Sequence, residues 1–376
     1  MISKNQQRGI AMLSYEEFCK TAGMTPPQEV YESAQNEGAL ENRRFLQEDY
    51  LLRIHKDYSL FPQYIEEIVS AAKQITADEF LLVYANLLRV AAFNTGSRRV
   101  GLMAPKAENP ALCYAPLLAL LAYIDKAEEE MRRRNIPQDI RLSVHSVYEK
   151  SITNYKKRNG FAAFDASSYS WYIHFLVPDI YPIGNLEFEL TTMWCEDSVF
   201  RSANGTIATL REIEETEDSY KGKRILRGGT GFEEAVLSKA EYSRFLEPGD
   251  DVISVHIPRG TRLDAPTCAA SYKRAQQFFK TYYPERPVKA TVCRSWLMDP
   301  ALAECLDSGA KILGFQNMYQ RFPAESAGRE VFTFVFNGYP EDLNTLPEDT
   351  SLFRALKKRY LQENPIYAYF GVLDPL

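Results

Sequence analysis

The chain has 376 residues, enough at about 150 residues per domain for two domains with real cores. Its 45% hydrophobic and 25% charged residues are ordinary globular usage, which excludes disorder, a collagen helix or a coiled coil for the chain as a whole. A net charge of −6 offers no general attraction to phosphate backbones, so nucleic acid is not an expected partner.

The first residues, Met1 to Arg8, are polar and lack the apolar stretch of a secretory signal, so a cytoplasmic protein is expected. Three capping-box patterns then announce helices: Ser14 with Glu17, Thr25 with Gln28, and Thr76 with Glu79. After Thr76, Phe80, Val83, Tyr84, Leu87, Leu88 and Ala91 recur at helical spacing and make one apolar stripe. The longest apolar run, Ala111 to Ile124, is shorter than the roughly 17 to 25 residues of a spanning helix, so it reads as a buried core helix and no membrane is expected. Beyond it, Glu128, Glu129 and Glu130 stand four residues before Arg132, Arg133 and Arg134, which makes that arginine run a solvated helix end. A further helix from about Gln138 carries Leu142, His145, Tyr148, Ile152 and Tyr155 on one stripe and stops at Gly160, with His145 read as a hydrogen-bonded core histidine.

Near residue 160 the period changes from 3.6 to 2, which sets the predicted boundary between a helical part, 1–160, and a stranded part, 161–376. Trp171 to Val177 and Leu186 to Leu190 read as strands around a Gly184-Asn185 turn, and the second alternates cleanly, so one of its faces is wet. Val199 to Ala203 and Thr206 to Leu210 flank Asn204-Gly205, a strong hairpin signal. Gly228 to Gly231 lacks the Lys-Ser/Thr of a phosphate loop and reads as a turn, and Ser238 with Glu241 reads as the cap of a short helix.

From Asp251 the pattern is strand, loop, helix, strand: Asp251 to Ile257, Pro258 to Asp264, Ala265 to Tyr282, then Val288 to Cys293 running toward Trp296. Such a unit implies a parallel pair with a right-handed crossover, so both strands end at one edge, where ligands of open α/β sheets sit. That edge carries His256 on one strand and Cys293, Arg294, Ser295 and Trp296 on its neighbour. The loop places Arg259, Gly260, Thr261 and Arg262 just before a helix N-terminus, where free N–H groups favour an anion such as a pyrophosphate. The same residues also read as solvated loop charges and a turn, and His256, Cys293 and Trp296 as packing. Six cysteines and four histidines contain no Cys-x-x-Cys or His-x-x-x-His spacing, so no metal is expected.

The run His256-Ile257-Pro258-x-Gly260-x-x-Leu263, Cys268-x-x-Ser271 with Ala275 and Phe278-Phe279, and Cys293-x-Ser295-Trp296-Leu297-Met298-x-Pro300 resembles the C-terminal domain of bacterial GNAT-like acyltransferases. The resemblance is specific over about Val252 to Phe322, and the helical first part resembles, with weaker motifs, the domain that accompanies it. It implies an α+β fold: a helical domain, then a mixed sheet with flanking helices and antiparallel hairpins, here including a helix Ala301 to Ser308 and a closing hairpin of Lys311 to Phe322 with Glu330 to Asn337. It implies transfer of an acyl group from acetyl-CoA or another acyl-CoA, wedged between two splayed parallel strands, to the amine of a small-molecule acceptor. Arg262 and Asp264 stand where the usual Arg/Gln-x-x-Gly-x-Gly/Ala loop has glycines, and Ala301 to Ser308 has no tyrosine.

For that chemistry His256 is the expected base, since imidazole accepts protons at neutral pH, and Ser295 or Cys293 the donor to the leaving sulfur. Arg259, Gly260, Thr261, Arg262, Ser271 and Trp296 are the expected cosubstrate contacts. Two other readings stay open: a hydrolase with Cys293 as nucleophile and His256 as base, and a non-catalytic small-molecule-binding protein.

Overall fold

The computed structural model describes residues 13–36, 40–93, 101–336 and 338–373. The chain divides into two compact units, Met1–Tyr181 and Pro182–Leu376.

The first unit is helical: α1 (Tyr15–Ala22), α2 (Gln28–Asn36), α3 (Glu48–Tyr58), α4 (Ile65–Ala77), α5 (Glu79–Phe93), α6 (Pro110–Leu121), α7 (Ile124–Arg133), α8 (Gln138–Asn159) and α9 (Tyr169–Ile173). The Ser14–Glu17 capping box forms on α1, and α8 stops at Gly160 in the left-handed region (φ 82°). Thr76 departs from expectation: it ends α4, its hydroxyl bonded to the Ala72 carbonyl, while Asp78 accepts from the Leu81 N–H and caps α5. Every residue of α6 from Ala111 to Leu121 is buried, as expected of a core helix. His145 is fully buried and hydrogen-bonded through Nε2 to Glu128 (3.1 Å). Burial alone would raise the Glu128 pKa, but hydrogen bonds from His145, Arg141 and Arg132 outweigh it and bring the carboxyl down to about 2.

The predicted strand Trp171 to Val177 is instead α9 and a turn. The Tyr169 hydroxyl donates to the Leu88 carbonyl (2.6 Å), and Tyr172 packs between Tyr148 and Phe164. An aromatic run this short carries no periodicity that separates strand from helix, and packing within the helical unit decides it.

The second unit holds two sheets. One has the order β1-β2-β8-β9-β11-β10, with β1 (Ile180–Ile183), β2 (Leu186–Thr192), β8 (Asp251–His256), β9 (Ala290–Ser295), β10 (Tyr319–Pro323) and β11 (Tyr369–Leu373). The other, order β6-β5-β4-β3-β7, is an excursion between β2 and β8: β3 (Ser198–Ser202), β4 (Ile207–Glu215), β5 (Ser219–Ile225), β6 (Phe232–Ser238) and β7 (Tyr242–Leu246). The Asn204-Gly205 hairpin forms between β3 and β4, and Gly228 to Gly231 is the β5–β6 turn. Gly229 sits there at φ 68°, and an added Cβ would strike the Ser326 backbone nitrogen, so only glycine fits. Ser238 ends β6 and its hydroxyl accepts from the Ala240 N–H in a tight turn, where a short helix was expected.

Helix α10 (Ala265–Tyr282) crosses from β8 to β9, which pair in parallel as expected. Ala301 to Ser308 is only a 3-10 turn, Pro300–Glu304, capped by Asp299. The expected closing hairpin does not form. Lys311–Gln316 is helix α11, β10 pairs antiparallel with β11 at the far end of the unit, and the intervening chain holds α12 (Glu330–Phe334) and α13 (Ser351–Leu361). Reading 330–337 as the partner strand rested on sequence proximity, whereas β10 bonds to β11 across the whole insertion.

Candidate active site

Strands β8 and β9 are paired at Val252–Ala290, Ile253–Thr291 and Ser254–Val292, and there the parallel ladder stops. Both strands run on, each bonded only to its outer neighbour: His256 opposite Glu187 on β2, and Cys293, Arg294 and Ser295 opposite Gly371, Phe370 and Tyr369 on β11. The two strands therefore part at their carboxyl ends. α10 follows β8 through the loop 257–264, and the unpaired strand ends leave a gap in the sheet's edge, called the slot below.

Alternation along the strands assigns every side chain to a face. One face carries Phe188, Val255, Cys293 and Ser295 and lies under α10, where Phe188 meets Tyr272 edge-on. The opposite face carries Glu187, Glu189, Ser254, His256 and Arg294. Away from the slot it joins the apolar core of Val252, Val292, Phe322, Phe370 and Val372 with Val199 and Leu246 of the second sheet. His256 and Cys293 are thus on opposite faces.

His256, 28% exposed, is held through Nε2 by Glu189 Oε2 at 2.8 Å, and Glu189 is 16% exposed. Glu189 lies diagonally across on β2 and Glu187 directly across, so two carboxylates flank the imidazole. The sequence neighbours of His256, Val255 and Ile257, cannot orient the imidazole. The signal was the alternation Leu186-Glu187-Phe188-Glu189-Leu190, whose wet face proves to be the face of His256.

Cys293 is 1% exposed, and burial pushes its thiol up to about 12. It is a small hydrophobe near Tyr272 and Tyr319, so neither the expected thiol donor nor the alternative cysteine nucleophile is placed beside His256. Ser295 Oγ accepts from the Leu297 N–H (3.1 Å) and caps the turn Trp296–Met298, and Trp296 is buried.

The expected phosphate loop is likewise partly structural. Gly260 is exposed at φ 83°, and Thr261 Oγ1 donates to the Pro258 carbonyl (2.6 Å). Asp264 caps α10: it accepts from the Thr267 N–H and hydroxyl, and these hydrogen bonds lower its pKa. Pro266 stands in the first turn, so the helix start offers an anion few free N–H groups. Ser271 is buried and donates to Asn185 Oδ1 (2.7 Å), while Asn185 Nδ2 donates to the Arg262 carbonyl (2.7 Å). Ser271 therefore seats the β1–β2 turn on α10; at Gly184 (φ 70°) a Cβ would collide with its hydroxyl. Arg262 is exposed, and Arg259 donates through Nη2 to the carbonyls of Phe334 (3.0 Å) and Val335 (3.1 Å).

A parallel pair whose ladder ends before its strands do, joined by a crossover helix, is the arrangement expected of a GNAT-like acyltransferase. The family model of the GNAT-like C-terminal domain matches residues 180–373, more than half of the chain, and the chain belongs to that family. The match starts at β1 and ends at β11, wider than the stretch that carried the sequence resemblance. Among curated proteins none matches. Among solved structures the chain is similar to an acyltransferase in complex with decanoyl-CoA, at 19% identity and a TM-score of 0.58 over 87% of this chain and 88% of that one. It is also similar to an acyltransferase in complex with decanoyl-CoA and teicoplanin, at 18% identity and a TM-score of 0.60 over 86% and 87%. These likenesses extend over both units and show a shared fold.

Proposed function

We propose that the protein transfers an acyl group from an acyl-CoA to the amine of a small-molecule acceptor, with His256 as base. The observation that carries this reading is the parting of β8 and β9 immediately before His256 and Arg294. Where the strands separate, backbone groups that would have bonded each other face the slot, and an extended pantetheine arm can occupy the place of a missing strand. The two solved acyltransferases hold decanoyl-CoA, one of them beside teicoplanin, which supports a CoA thioester and a small-molecule acceptor.

In the reaction the acceptor nitrogen attacks the thioester carbonyl, the C–N bond forms, the C–S bond breaks, and the ammonium proton passes to His256. Glu189, bonded to Nε2, holds the ring and stabilises the imidazolium, which returns its proton to the departing thiolate. Phosphates would be met by the Arg259 and Arg262 side chains more than by a backbone cradle, because Asp264 and Pro266 occupy the helix start.

Thermal unfolding with CoA, acetyl-CoA and decanoyl-CoA tests the reading. A cosubstrate at 100 times its Kd adds about 2.7 kcal/mol. An unchanged melting temperature with every CoA ester would sink the proposal.

A further inference from the structure

We propose that the free edge of β6 pairs antiparallel with the β6 of a second copy of this chain, with Val236 on the two-fold axis. The pairing stands apart from the acyl-CoA reading.

The two sheets of the second unit have four edge strands, and three of them are blunted. β1 is only 4 residues long and contains Pro182. The register of β7 against β3 slips between Val199 and Phe200. β10 is covered at Gln320, whose Oε1 accepts from the Ile207 N–H (2.9 Å) and whose Nε2 donates to the Gly205 carbonyl (2.8 Å). β6 has none of these devices. Its register with β5 runs unbroken from Phe232 to Ser238, it contains no proline or lysine, and Val236 is 62% and Phe232 43% exposed. Such an edge is a template for a further strand.

The ladder shows which groups wait there. The Leu226 N–H donates to the Gly231 carbonyl (2.9 Å) and the Lys239 N–H to the Asp218 carbonyl (2.8 Å), continuing the β5–β6 register at both ends. Bonded and unbonded pairs alternate in an antiparallel ladder, so the odd-numbered residues of β6 bond to β5. The N–H and C=O groups of Phe232, Glu234, Val236 and Ser238 therefore point away from the sheet, and no group among the described residues bonds to them.

A second β6 must bring its own outward groups to these, so even-numbered residues meet even-numbered ones. Side chains choose among the registers that remain. Centring on Glu233 or Glu234 sets like charges on the axis, centring on Ala235 sets Glu234 against Val236, and centring on Leu237 sets Ala235 against Lys239. Centring on Val236 sets Val236 on Val236, Ala235 on Leu237, Glu234 on Ser238, and Glu233 on Lys239 just past the strand's end, with no like charges opposed. Glu233 already meets Arg224 (3.1 Å) and Lys239 meets Glu215 (2.7 Å), so the new pair joins two surface ion pairs into one chain of alternating sign. Ala235 and Leu237 border the small core of Phe200, Leu210 and Tyr220, which the second copy extends. A single edge pairing is small against the roughly 1,200 Å² of standard interfaces, so the dimer forms reversibly.

Sedimentation velocity of the full chain over a concentration series tests the pairing. A monomer–dimer equilibrium is expected, and a monomer throughout overturns the proposal. The Val236 N–H serves no bond to β5, so Val236→Pro spares the monomer's ladder and removes both bonds at the axis; it should raise the dimer dissociation constant about tenfold or more. Val236→Lys opposes two like charges on the axis with a side chain that edge strands tolerate, and should weaken the dimer likewise. A dimer as tight in either variant as in the wild type refutes the pairing. Register is read by oxidising Val236→Cys with diamide beside the wild type. Paired Cα atoms there lie about 5.5 Å apart, within disulfide reach, so a linked dimer is expected. Ala235→Cys, offset by two residues from its mate, should not link. A dimer that links at 235, or fails to link at 236, sinks the arrangement.

Discussion

The two faces of the six-stranded sheet receive side chains from the same strands, yet only one of them leaves titratable groups within reach of solvent. Under α10 the face is sealed: Cys293 and Phe188 are buried with Tyr272 and Tyr319, and the two tyrosines hydrogen-bond each other at 2.8 Å. On the opposite face the same strands present Glu187, Glu189, His256 and Arg294 at the open end of the slot, with an apolar core only further back. A motif that sets a histidine and a cysteine at neighbouring strand ends is thereby divided between a half-open imidazole and a sealed thiol. Proximity at a sheet edge is not proximity of side chains, because the pleat alternates them.

The comparison breaks first at His256. His256→Ala should lower acyl transfer about 10²-fold or more with the fold intact by circular dichroism; an unchanged rate would leave the open face without a base. Glu189→Gln keeps the shape and removes the charge beside Nε2. A loss of about tenfold in kcat is expected, with KM for the CoA ester little changed. A change in KM alone would make Glu189 a packing residue.

On the sealed face the expected effects are on stability. Ser271→Ala removes the bond to Asn185 and should cost about 1 kcal/mol in urea unfolding while leaving the affinity for CoA unaltered. Cys293 should resist alkylation in the native protein at pH 8 and react once unfolded. Its thiol is raised from 9.0 to about 12, so the folded state favours the neutral form, a contribution present below pH 9 and lost as pH rises toward 12. Rapid inactivation by a thiol reagent that maps to Cys293, reversed by Cys293→Ala, would refute the assignment of faces.

Local signals were readable wherever a single element decided its own fate. The Ser14–Glu17 box, the Gly160 stop, the Asn204-Gly205 hairpin, the apolar run of α6 and the β8–α10–β9 crossover all follow from capping, left-handed glycine and hydrophobic period. His256 stood out because it sits at the end of an apolar strand followed by Pro258, and its motif already suggested the family. Neither Glu189 nor the sealing of Cys293 could be read in the same way, since both depend on register: which β2 residue faces Ser254, and which face of β9 meets α10. Ser271 looked like a ligand contact because it is a polar residue on the helix after the loop, but its partner, Asn185, is remote in sequence.

Composition and periodicity therefore determined many of the helices, the helical-then-stranded order and the strand–helix–strand crossover, for these are set by each residue and its near neighbours. The division of labour at the sheet's edge came from folding alone. The pairing of distant strands, the face each side chain takes, and the hydrogen bonds that Arg294 and Arg259 give to the Glu325 and Phe334 carbonyls are long-range contacts, and no local pattern of residues encodes which distant group will be there to receive a hydrogen bond.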